Sequence, residues 1–206
     1  MHRKPLLDML LTYEATWGGG LAPYRGFDKP SEASKLAQLR EFVQANADCF
    51  ERSHADGHVT GSALVLTPDY GQVLLTLHRK LGRWLQLGGH ADGNPDIAGV
   101  AMREAQEESG SEALKFLAYE KVFGPSVAAP LAFDLDIHQI PATPREKEHF
   151  HYDVRFLLVA LKPETVALSE ESLDLKWHSL ADAYKITDEP GMHRQFDKVA
   201  YLKERL

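Results

Sequence analysis

Residues 103–110 read Arg-Glu-Ala-Gln-Glu-Glu-Ser-Gly and carry three carboxylates at positions i, i+3 and i+4. Side chains three and four residues apart share one face of a helix, so Glu104, Glu107 and Glu108 are predicted to form one acidic patch. Such crowding of like charges destabilises an isolated helix. A divalent cation relieves it, because hard cations such as Mg2+ prefer oxygen ligands and share them with phosphates. The segment therefore predicts a cation site on a helix, and the alternative is a solvated acidic face.

The residues before this helix extend the pattern toward the N-terminus. A Gly88-Gly89 pair precedes Arg103, with thirteen residues between Gly89 and the arginine. The combined pattern resembles the Nudix box, G-x5-E-x7-R-E-U-x-E-E-x-G-U, in which U is a bulky apolar residue. Six positions of the chain match it: Gly89, Arg103, Glu104, Glu107, Glu108 and Gly110. The chain is thus similar to the Nudix hydrolases.

The match to the box departs from the family pattern at three positions. Pro95 stands where the pattern has its first Glu, and Ala105 and Ser111 occupy the two bulky apolar positions. Asp96 or Asp92 could reach toward the site through water. The loss of this Glu is expected to weaken metal binding or to change the preferred cation, while the three remaining carboxylates favour an active enzyme.

The resemblance implies roles for the matching residues. The Gly89 carbonyl and the carboxylates of Glu104, Glu107 and Glu108 are expected to bind Mg2+ or Mn2+, and Arg103 to orient Glu104. The implied reaction is hydrolysis of a diphosphate bond in a nucleoside diphosphate linked to another moiety, with water attacking phosphorus. Bound metal ions lower the pKa of such a water and stabilise the charge that develops on the phosphate oxygens. Among the residues of the box, Arg103, Glu104 and Glu107 are expected to take part in catalysis.

Two further segments resemble one bacterial subgroup of the family. They read CFERSHADGHVTGSALVL over residues 49–66 and LTLHRKLGRWLQLGGHADG over residues 75–93. This resemblance to a GGHADG-type subgroup does not indicate a substrate.

In Nudix enzymes the general base often comes from a loop outside the box. The loop 141–151 contains Glu146, Glu148, His149 and His151. Either residue type can accept a proton from water near neutral pH when suitably placed. Glu148 is the preferred candidate, and the alternative is that this is a charged surface loop without a catalytic role.

Contacts to phosphate are expected from basic residues near Gly88 and Gly89, the pair called the glycine loop below. Lys80 and Arg83 precede this loop, His90 follows Gly89, and Arg155 lies in a predicted strand. A solvated turn explains Lys80 and Arg83 equally well.

Histidines recur near the expected cleft, and Asp134, Asp136 and His138 alternate so that they face one side of a strand. A second metal or a phosphate contact is one interpretation of this pattern. Lone histidines are more often surface residues or hydrogen-bonded core residues.

Composition places the chain among the globular proteins. It has 206 residues, 44% of them hydrophobic, a net charge of −7 and a single cysteine, Cys49. The length predicts one domain plus an extension: helices over residues 1–50 and a Nudix domain over residues 51–206. The acidic balance makes a nucleic-acid partner unexpected, because polyanion binding is driven by basic patches. We expect a small-molecule nucleotide-diphosphate partner, and a homodimer is compatible with this sequence.

No apolar run approaches the length of a membrane span. The N-terminal segment has a basic start and a short apolar run, but it also carries Asp8 and Glu14 and lacks a small-residue cleavage site. It is interpreted as an amphipathic helix rather than a signal peptide, so a cytoplasmic location is expected.

Hydrophobic periodicity predicts an α+β fold, and the resemblance sharpens this to an α/β/α sandwich with a mixed sheet and an N-terminal helical extension. Asn94 is predicted to cap the acidic helix, with Pro95 at its first position, and Ser31 to cap an earlier helix. Predicted strands are 59–66, 72–77, 84–87, 114–122, 132–140, 151–161 and 173–177, with a final helix over 192–206.

Two rival functions share the predicted fold. The isopentenyl diphosphate isomerase branch uses a catalytic cysteine near the equivalent of residues 84–90, and this stretch has none, since Cys49 lies well upstream. A catalytically weak nucleotide-sensing module is the other alternative, and it rests mainly on Pro95. Hydrolysis in the presence of Mg2+ or Mn2+ separates the enzyme from the sensing module.

Overall fold

The fold is built around a mixed sheet, seen here in a computed structural model that describes residues 2–18, 30–144, 146–167 and 172–206. Within these residues the strands are β1 (Gly57–Leu66), β2 (Gln72–His78), β3 (Trp84–Leu85), β4 (Leu87–His90), β5 (Leu114–Phe116), β6 (Asp134–Ile140), β7 (His149–Ala160) and β8 (Ser172–Ser179). The helices are α1 (Lys4–Trp17), α2 (Pro30–Ala45), α3 (Ile97–Ser109), α4 (Glu120–Phe123), α5 (Leu180–Ile186) and α6 (Pro190–Lys203), with a 3-10 turn at Pro163–Thr165. The predicted α+β fold with a mixed sheet is confirmed.

Strands β1 and β7 form the centre of the sheet. They run parallel over ten paired positions, from Gly57 opposite Phe150 to Leu66 opposite Val159. The strand order is β3-β2-β1-β7-β5, while β8 pairs with β2, β4 with β1 and β6 with β7, all antiparallel. Every residue of β1 is buried, as expected for a strand covered on both faces.

Helices cover the two faces of β1 and β7. On one face α3 approaches so closely that a Cβ on Gly61 would lie 2.8 Å from the Ile97 carbonyl oxygen. On the other face Arg155 of β7 donates to the Gly191 carbonyl of α6 at 3.3 Å. The sheet therefore has α3 on one side and α6 on the other.

Helix α3 buries the apolar face predicted from its sequence, which comprises Ile97, Val100, Ala101 and Ala105. Its start differs from the prediction, because Asp96 is the N-cap and accepts a hydrogen bond from the Gly99 amide. Asn94 instead bonds to the Asp96 amide, and Pro95 precedes the helix. Gly110 ends the helix with φ 62°, a left-handed conformation that favours glycine.

The two N-terminal helices share one hydrophobic core with the sheet. Leu6, Trp17 and Leu39 are buried in the same cluster as Leu64 of β1. The indole nitrogen of Trp17 donates to the carbonyl of Ala132 at 3.2 Å, which fixes α1 beside the entry to β6. Helix α2 begins at Pro30, so the predicted cap Ser31 lies inside it, and residues 19–29 before it are outside the described residues.

Two local predictions were wrong. The strand predicted over 114–122 ends at Phe116, and the chain turns into α4 because Tyr119 and Phe123 pack edge-on against Trp17. Helix α5 was not predicted, and its start is capped by Ser179, which accepts from the Asp182 amide. None of the described helices combines the length and apolarity needed to cross a membrane.

Candidate active site

The acidic face of α3 carries its own arginine. The Arg103 guanidinium lies 2.8 Å from the Glu104 carboxylate and 3.2 Å from the Glu107 carboxylate. The Glu104 side chain is 17% exposed and that of Glu107 is 60% exposed, so the patch runs from a sheltered to an open position. Arg103 therefore bridges two of the three predicted ligands and fixes their relative orientation.

The glycine loop faces this acidic patch. The Gly88 amide donates to Oε2 of Glu108 at 3.0 Å. A Cβ on Gly89 would lie 2.4 Å from the Glu104 carboxylate, so only a glycine leaves this carboxylate in place. The structure thus brings together Gly89, Glu104, Glu107 and Glu108, as the sequence predicts, with Arg103 beside them.

The two aspartates that could replace the missing box Glu are already engaged. Asp96 caps α3, and the carboxylate of Asp92 forms a bidentate pair with the Arg52 guanidinium. This pair lowers the pKa of Asp92 below its usual range. The Arg52 pKa is raised, first by its hydrogen bond to Asp92 and further by the charges of Glu104 and Glu146. Arg52 is therefore a basic residue beside the acidic patch that sequence reasoning did not identify.

The loop that is predicted to supply the base is exposed at residues 141–144 and 146–148, whereas His149 and His151 lie partly buried in β7. Thr143 and Glu146 close a small turn, in which the Thr143 amide donates to the Glu146 carbonyl at 2.8 Å. Glu146 and Glu148 are both exposed. The charge of Glu146 contributes to raising the Arg52 pKa, as does that of Glu104, so Glu146 is linked electrostatically to the surroundings of the acidic helix. Glu148 has no such link among the described contacts.

The residues predicted to contact phosphate lie in different parts of the structure. Lys80 and Arg83 lie exposed in the turn between β2 and β3, and Arg83 pairs with Glu189 at the start of α6. The carbonyl of His90 accepts from Arg103 at 3.5 Å, which places this residue at the acidic patch. Of these three residues, His90 is thus the one with a described contact to the site.

Arg155 occupies a different place from the one predicted for a substrate contact. Its side chain is 6% exposed and its guanidinium pairs with Asp134, Asp136 and Asp153 at 2.8–3.2 Å. These bonds occupy the donors that a phosphate would need. Arg155 therefore holds β6, β7 and α6 together, and we leave it out of the proposed substrate site.

The alternating residues of β6 do face one side, where Asp134 and Asp136 belong to the same buried ion network, while the His138 side chain beside Asp136 is 42% exposed. Asp134 pairs with Arg194 at 2.8 Å and with Lys198 at 2.7 Å, both from α6. Burial alone would raise the pKa of Asp134, but these cations outweigh it and hold the pKa well below its usual range. Asp136 also pairs with Lys35 of α2 at 2.8 Å, so the network ties both helices to the sheet.

Four histidines meet at the end of β1 and β7 nearest the glycine loop. The His58 ring centroid lies 5.1 Å from that of His90, 5.1 Å from that of His149 and 4.8 Å from that of His151. Burial, reinforced by the neighbouring histidines, lowers the pKa of His58 to about 4 and that of His151 to about 2. Sequence reasoning missed His58, because only the parallel pairing of β1 with β7 places it opposite His151.

Comparisons with known proteins show the fold and the family of the chain. Three solved structures share the fold: a C. elegans Ap4A hydrolase binary complex (22% identity, TM-score 0.52, 72% of this chain and 98% of that chain covered), the E. coli dihydroneopterin triphosphate pyrophosphohydrolase (16%, 0.51, 68% and 92%) and a possible asymmetric diadenosine tetraphosphate hydrolase from Jonesia denitrificans (14%, 0.53, 72% and 95%). No curated protein sequence matches the chain. The NUDIX domain family matches residues 57–199, most of the chain, including the glycine loop, α3 and the β7 histidines. The chain therefore belongs to the Nudix hydrolase family.

Proposed function

We propose that this Nudix hydrolase cleaves a diphosphate bond in a nucleoside diphosphate linked to another moiety, and that it depends on Mg2+ or Mn2+. The observation that supports the proposal is the approach of the glycine loop to α3. It brings the Gly89 backbone within reach of Glu104 and ties the Gly88 amide to Glu108. Carboxylate and carbonyl oxygens are the ligands that such hard cations prefer.

The donor set fits a divalent cation. Glu104, Glu107 and Glu108 place three carboxylates on one helix face, and Arg103 pairs with Glu104 and Glu107. A cation bound by these carboxylates would activate water and stabilise charge on the phosphate oxygens. The chain's own residues would position it: Gly89 keeps space open for Glu104, and Arg103 holds Glu104 in one orientation.

The proton from the attacking water is proposed to pass to the loop before β7. Glu146 and Glu148 are both exposed, so a bound substrate can approach either carboxylate. Glu146 has the electrostatic link to Arg52 at the acidic patch, while Glu148 is the candidate predicted from sequence. We therefore propose a carboxylate of this loop as the general base, with both residues to be tested.

The substrate is proposed to be a small molecule. Arg52 beside the acidic patch, and Lys80 and Arg83 in the turn between β2 and β3, are exposed cations that could meet phosphate oxygens. The net charge of −7 disfavours a polyanionic polymer as partner. Two structural neighbours are described as hydrolases of Ap4A and of dihydroneopterin triphosphate, so both compound types belong in the substrate panel.

The proposal is tested by measuring hydrolysis of a panel that contains nucleoside triphosphates, nucleotide sugars, dinucleoside polyphosphates, dinucleotide cofactors, dihydroneopterin triphosphate and capped RNA. Each compound is assayed with Mg2+, with Mn2+ and with excess chelator. We expect turnover of at least one compound that chelator abolishes and added metal restores. Full turnover in chelator would contradict the metal mechanism. Binding of a nucleotide without turnover of any compound would instead favour a sensing module.

A further inference from the structure

The histidine cluster beside the glycine loop has a geometry that the hydrolytic site does not require. His58 and His151 are opposite one another in the parallel pairing of β1 and β7, and His149 lies two positions before His151. Side chains at such positions point to one face of a sheet. One potential ligand atom from each of His58, His149 and His151 lies within 4.8 Å of the others.

Three ring nitrogens of this cluster are buried and have no hydrogen bond among the described residues. His58 is 2% exposed, and both of its ring nitrogens belong to this group. The Nε2 atom of His151 is likewise buried without a hydrogen bond. A buried polar atom without a partner destabilises the fold, because its lost hydrogen bonds to water are not replaced. The cluster therefore contains buried ring nitrogens that a bound ligand would satisfy.

His149 has a hydrogen bond that fixes which nitrogen is available. Its Nδ1 atom lies 2.8 Å from the carbonyl oxygen of Lys147. A carbonyl oxygen only accepts, so Nδ1 carries the proton and, in the neutral ring, Nε2 keeps its lone pair. Histidines that bind metals commonly use one nitrogen for the ion and donate the other N–H to a backbone carbonyl.

We propose that His58, His149 and His151 form a binding site for a late transition-metal cation, with Zn2+ as the expected occupant. Imidazole nitrogen is a preferred ligand of Zn2+, whereas Mg2+ prefers oxygen. Zn–N bonds of about 2.0–2.1 Å in a tetrahedron separate ligand nitrogens by about 3.3 Å, so small side-chain rotations bring the three rings into place. Three histidines leave a fourth position for water, for a substrate atom or for His90.

This site is separate from the acidic face of α3 in its ligands and in its elements. Its three nitrogens come from β1 and β7, whereas the proposed Mg2+ ligands are oxygens from α3 and the glycine loop. The two sites are predicted to discriminate between cations by ligand type. The inference therefore does not depend on the proposed hydrolysis, and Zn2+ binding can be measured on a chain that has no turnover.

The experiment measures Zn2+ bound per chain by equilibrium dialysis and elemental analysis, in the presence of excess Mg2+. Co2+ replaces Zn2+ in a parallel series, because its visible absorption reports nitrogen ligation. Four full-length variants are compared with the wild type: His149→Ala, His58→Leu, His138→Ala and Glu107→Gln. His138→Ala is the matched control, since its ring lies 5.4 Å from His151 but it does not belong to the ligand group.

We expect one Zn2+ per chain in the wild type, in His138→Ala and in Glu107→Gln. His149→Ala and His58→Leu should lose more than about tenfold in affinity, because changes outside the ligand set already cost about 10–100-fold. The His58→Leu chain should keep its metal-free melting temperature, since leucine removes two buried nitrogens that have no hydrogen bond, but it should lose the rise that Zn2+ causes in the wild type.

Equal Zn2+ binding in all variants would overturn the proposal, as would loss of Zn2+ in Glu107→Gln alone or displacement by Mg2+. If His58→Leu failed to fold, His149→Ala would decide, because His149 is half-buried at the strand end and its loss leaves the core intact.

Discussion

The Nη2 atom of Arg103 lies 2.8 Å from Oε1 of Glu104, and the same guanidinium reaches Oε2 of Glu107 at 3.2 Å. Repulsion between the carboxylates would otherwise let them rotate apart into solvent. The guanidinium holds two of them in a fixed relation, because its planar fork donates to both at once. Arg103 is therefore a positioning residue for the proposed metal ligands.

Replacement of Arg103 tests this positioning role. We expect Arg103→Lys and Arg103→Ala to lower metal affinity or turnover by about 10–100-fold, as is usual when a partner of a metal ligand is lost. Lysine at this position should not restore metal affinity or turnover, since a point charge cannot bridge both carboxylates. Added Mg2+ should restore part of the turnover of both variants. Wild-type dependence on Mg2+ concentration in Arg103→Ala would contradict the role.

Glu107→Gln and Glu108→Gln should each nearly abolish turnover while the fold persists. The exchange keeps the size of the side chain and removes a charge that would bind the cation. Less repulsion on α3 should leave the melting temperature of the metal-free chain unchanged or slightly higher. Glu112→Gln is the control, since Glu112 is exposed and lies beyond the end of α3. Wild-type turnover in both box variants would mean that this helix face is only solvated.

The two adjacent glycines should respond differently to alanine. A Cβ on Gly89 would meet the far end of the flexible Glu104 side chain, at 2.4 Å, so Gly89→Ala should displace this carboxylate and lower turnover with little loss of stability. A Cβ on Gly88 would lie 2.2 Å from the Cβ of Ser62 and 2.5 Å from its Cα, so Gly88→Ala should lower the melting temperature. Turnover and thermal unfolding of both variants check this contrast. Full turnover in Gly89→Ala would count against the glycine-loop site.

Much of the fold and of the acidic site could be predicted from sequence because the signals are local. The carboxylates of α3 lie on one face because three- and four-residue spacings repeat with the helix, and Gly110 ends it with a positive φ. The apolar segments 59–66 and 72–77 likewise predicted β1 and β2, with bounds within two residues of those observed.

The predictions that were wrong, or that the sequence could not make, depend on contacts between distant segments. Arg155 looks like a phosphate ligand in the sequence, but the pairing of β6 with β7 surrounds it with three aspartates. His58 is paired with His151 only because β1 and β7 are parallel neighbours. The strand predicted through residue 122 stops early because Tyr119 packs on Trp17, which lies far away in the sequence.

The buried pair between Lys198 and Asp134 should be important for stability. Lys198 is 0% exposed, and its Nζ atom lies 2.7 Å from the Asp134 carboxylate. Lys198→Met should lower the free energy of unfolding by roughly 3–5 kcal/mol, because it leaves a buried carboxylate with one cation fewer. Lys4→Met, which breaks the exposed pair with Asp8, should cost about 0–1 kcal/mol in the same urea titration. Equal effects of the two changes would contradict the importance of the buried network.

The same network predicts how stability depends on pH. Because the folded-state pKa of Asp134 is depressed, its contribution is present above the unfolded pKa of about 3.9 and is lost as pH falls below it. Burial also lowers the folded-state pKa of His58 to about 4 and that of His151 to about 2, so the unfolded state takes up these protons first as pH falls below about 6.5. Urea midpoints should therefore begin to fall between pH 7 and pH 5 because of the histidines, and fall further below about pH 4 because of Asp134. The double variant Asp134→Asn/Lys198→Met should show a shallower fall below about pH 4, and Asp8→Asn should not. An unchanged acid slope in the double variant would mean that other carboxylates cause the fall.

The loop before β7 is where the general base is predicted. If Glu146 or Glu148 accepts the proton, its replacement by Gln should lower turnover by roughly 10²- to 10⁴-fold. Substrate affinity should change much less, because the proposed metal and phosphate contacts survive. Glu146→Gln is expected to be the more severe change, since Glu146 lies close enough to raise the pKa of Arg52 together with Glu104. Lys147→Ala is the matched control in the same exposed loop.

Steady-state kinetics on the substrate found in the panel separate these outcomes. A loss confined to the maximal rate in one glutamate variant identifies the base, whereas a loss confined to affinity identifies a substrate contact. Changes of less than about threefold in both variants would contradict a base in this loop and move it onto α3, where a typical base contributes about 10²-fold or more. Glu107, which pairs with Arg103 and is more exposed than Glu104, would then be the next residue to test.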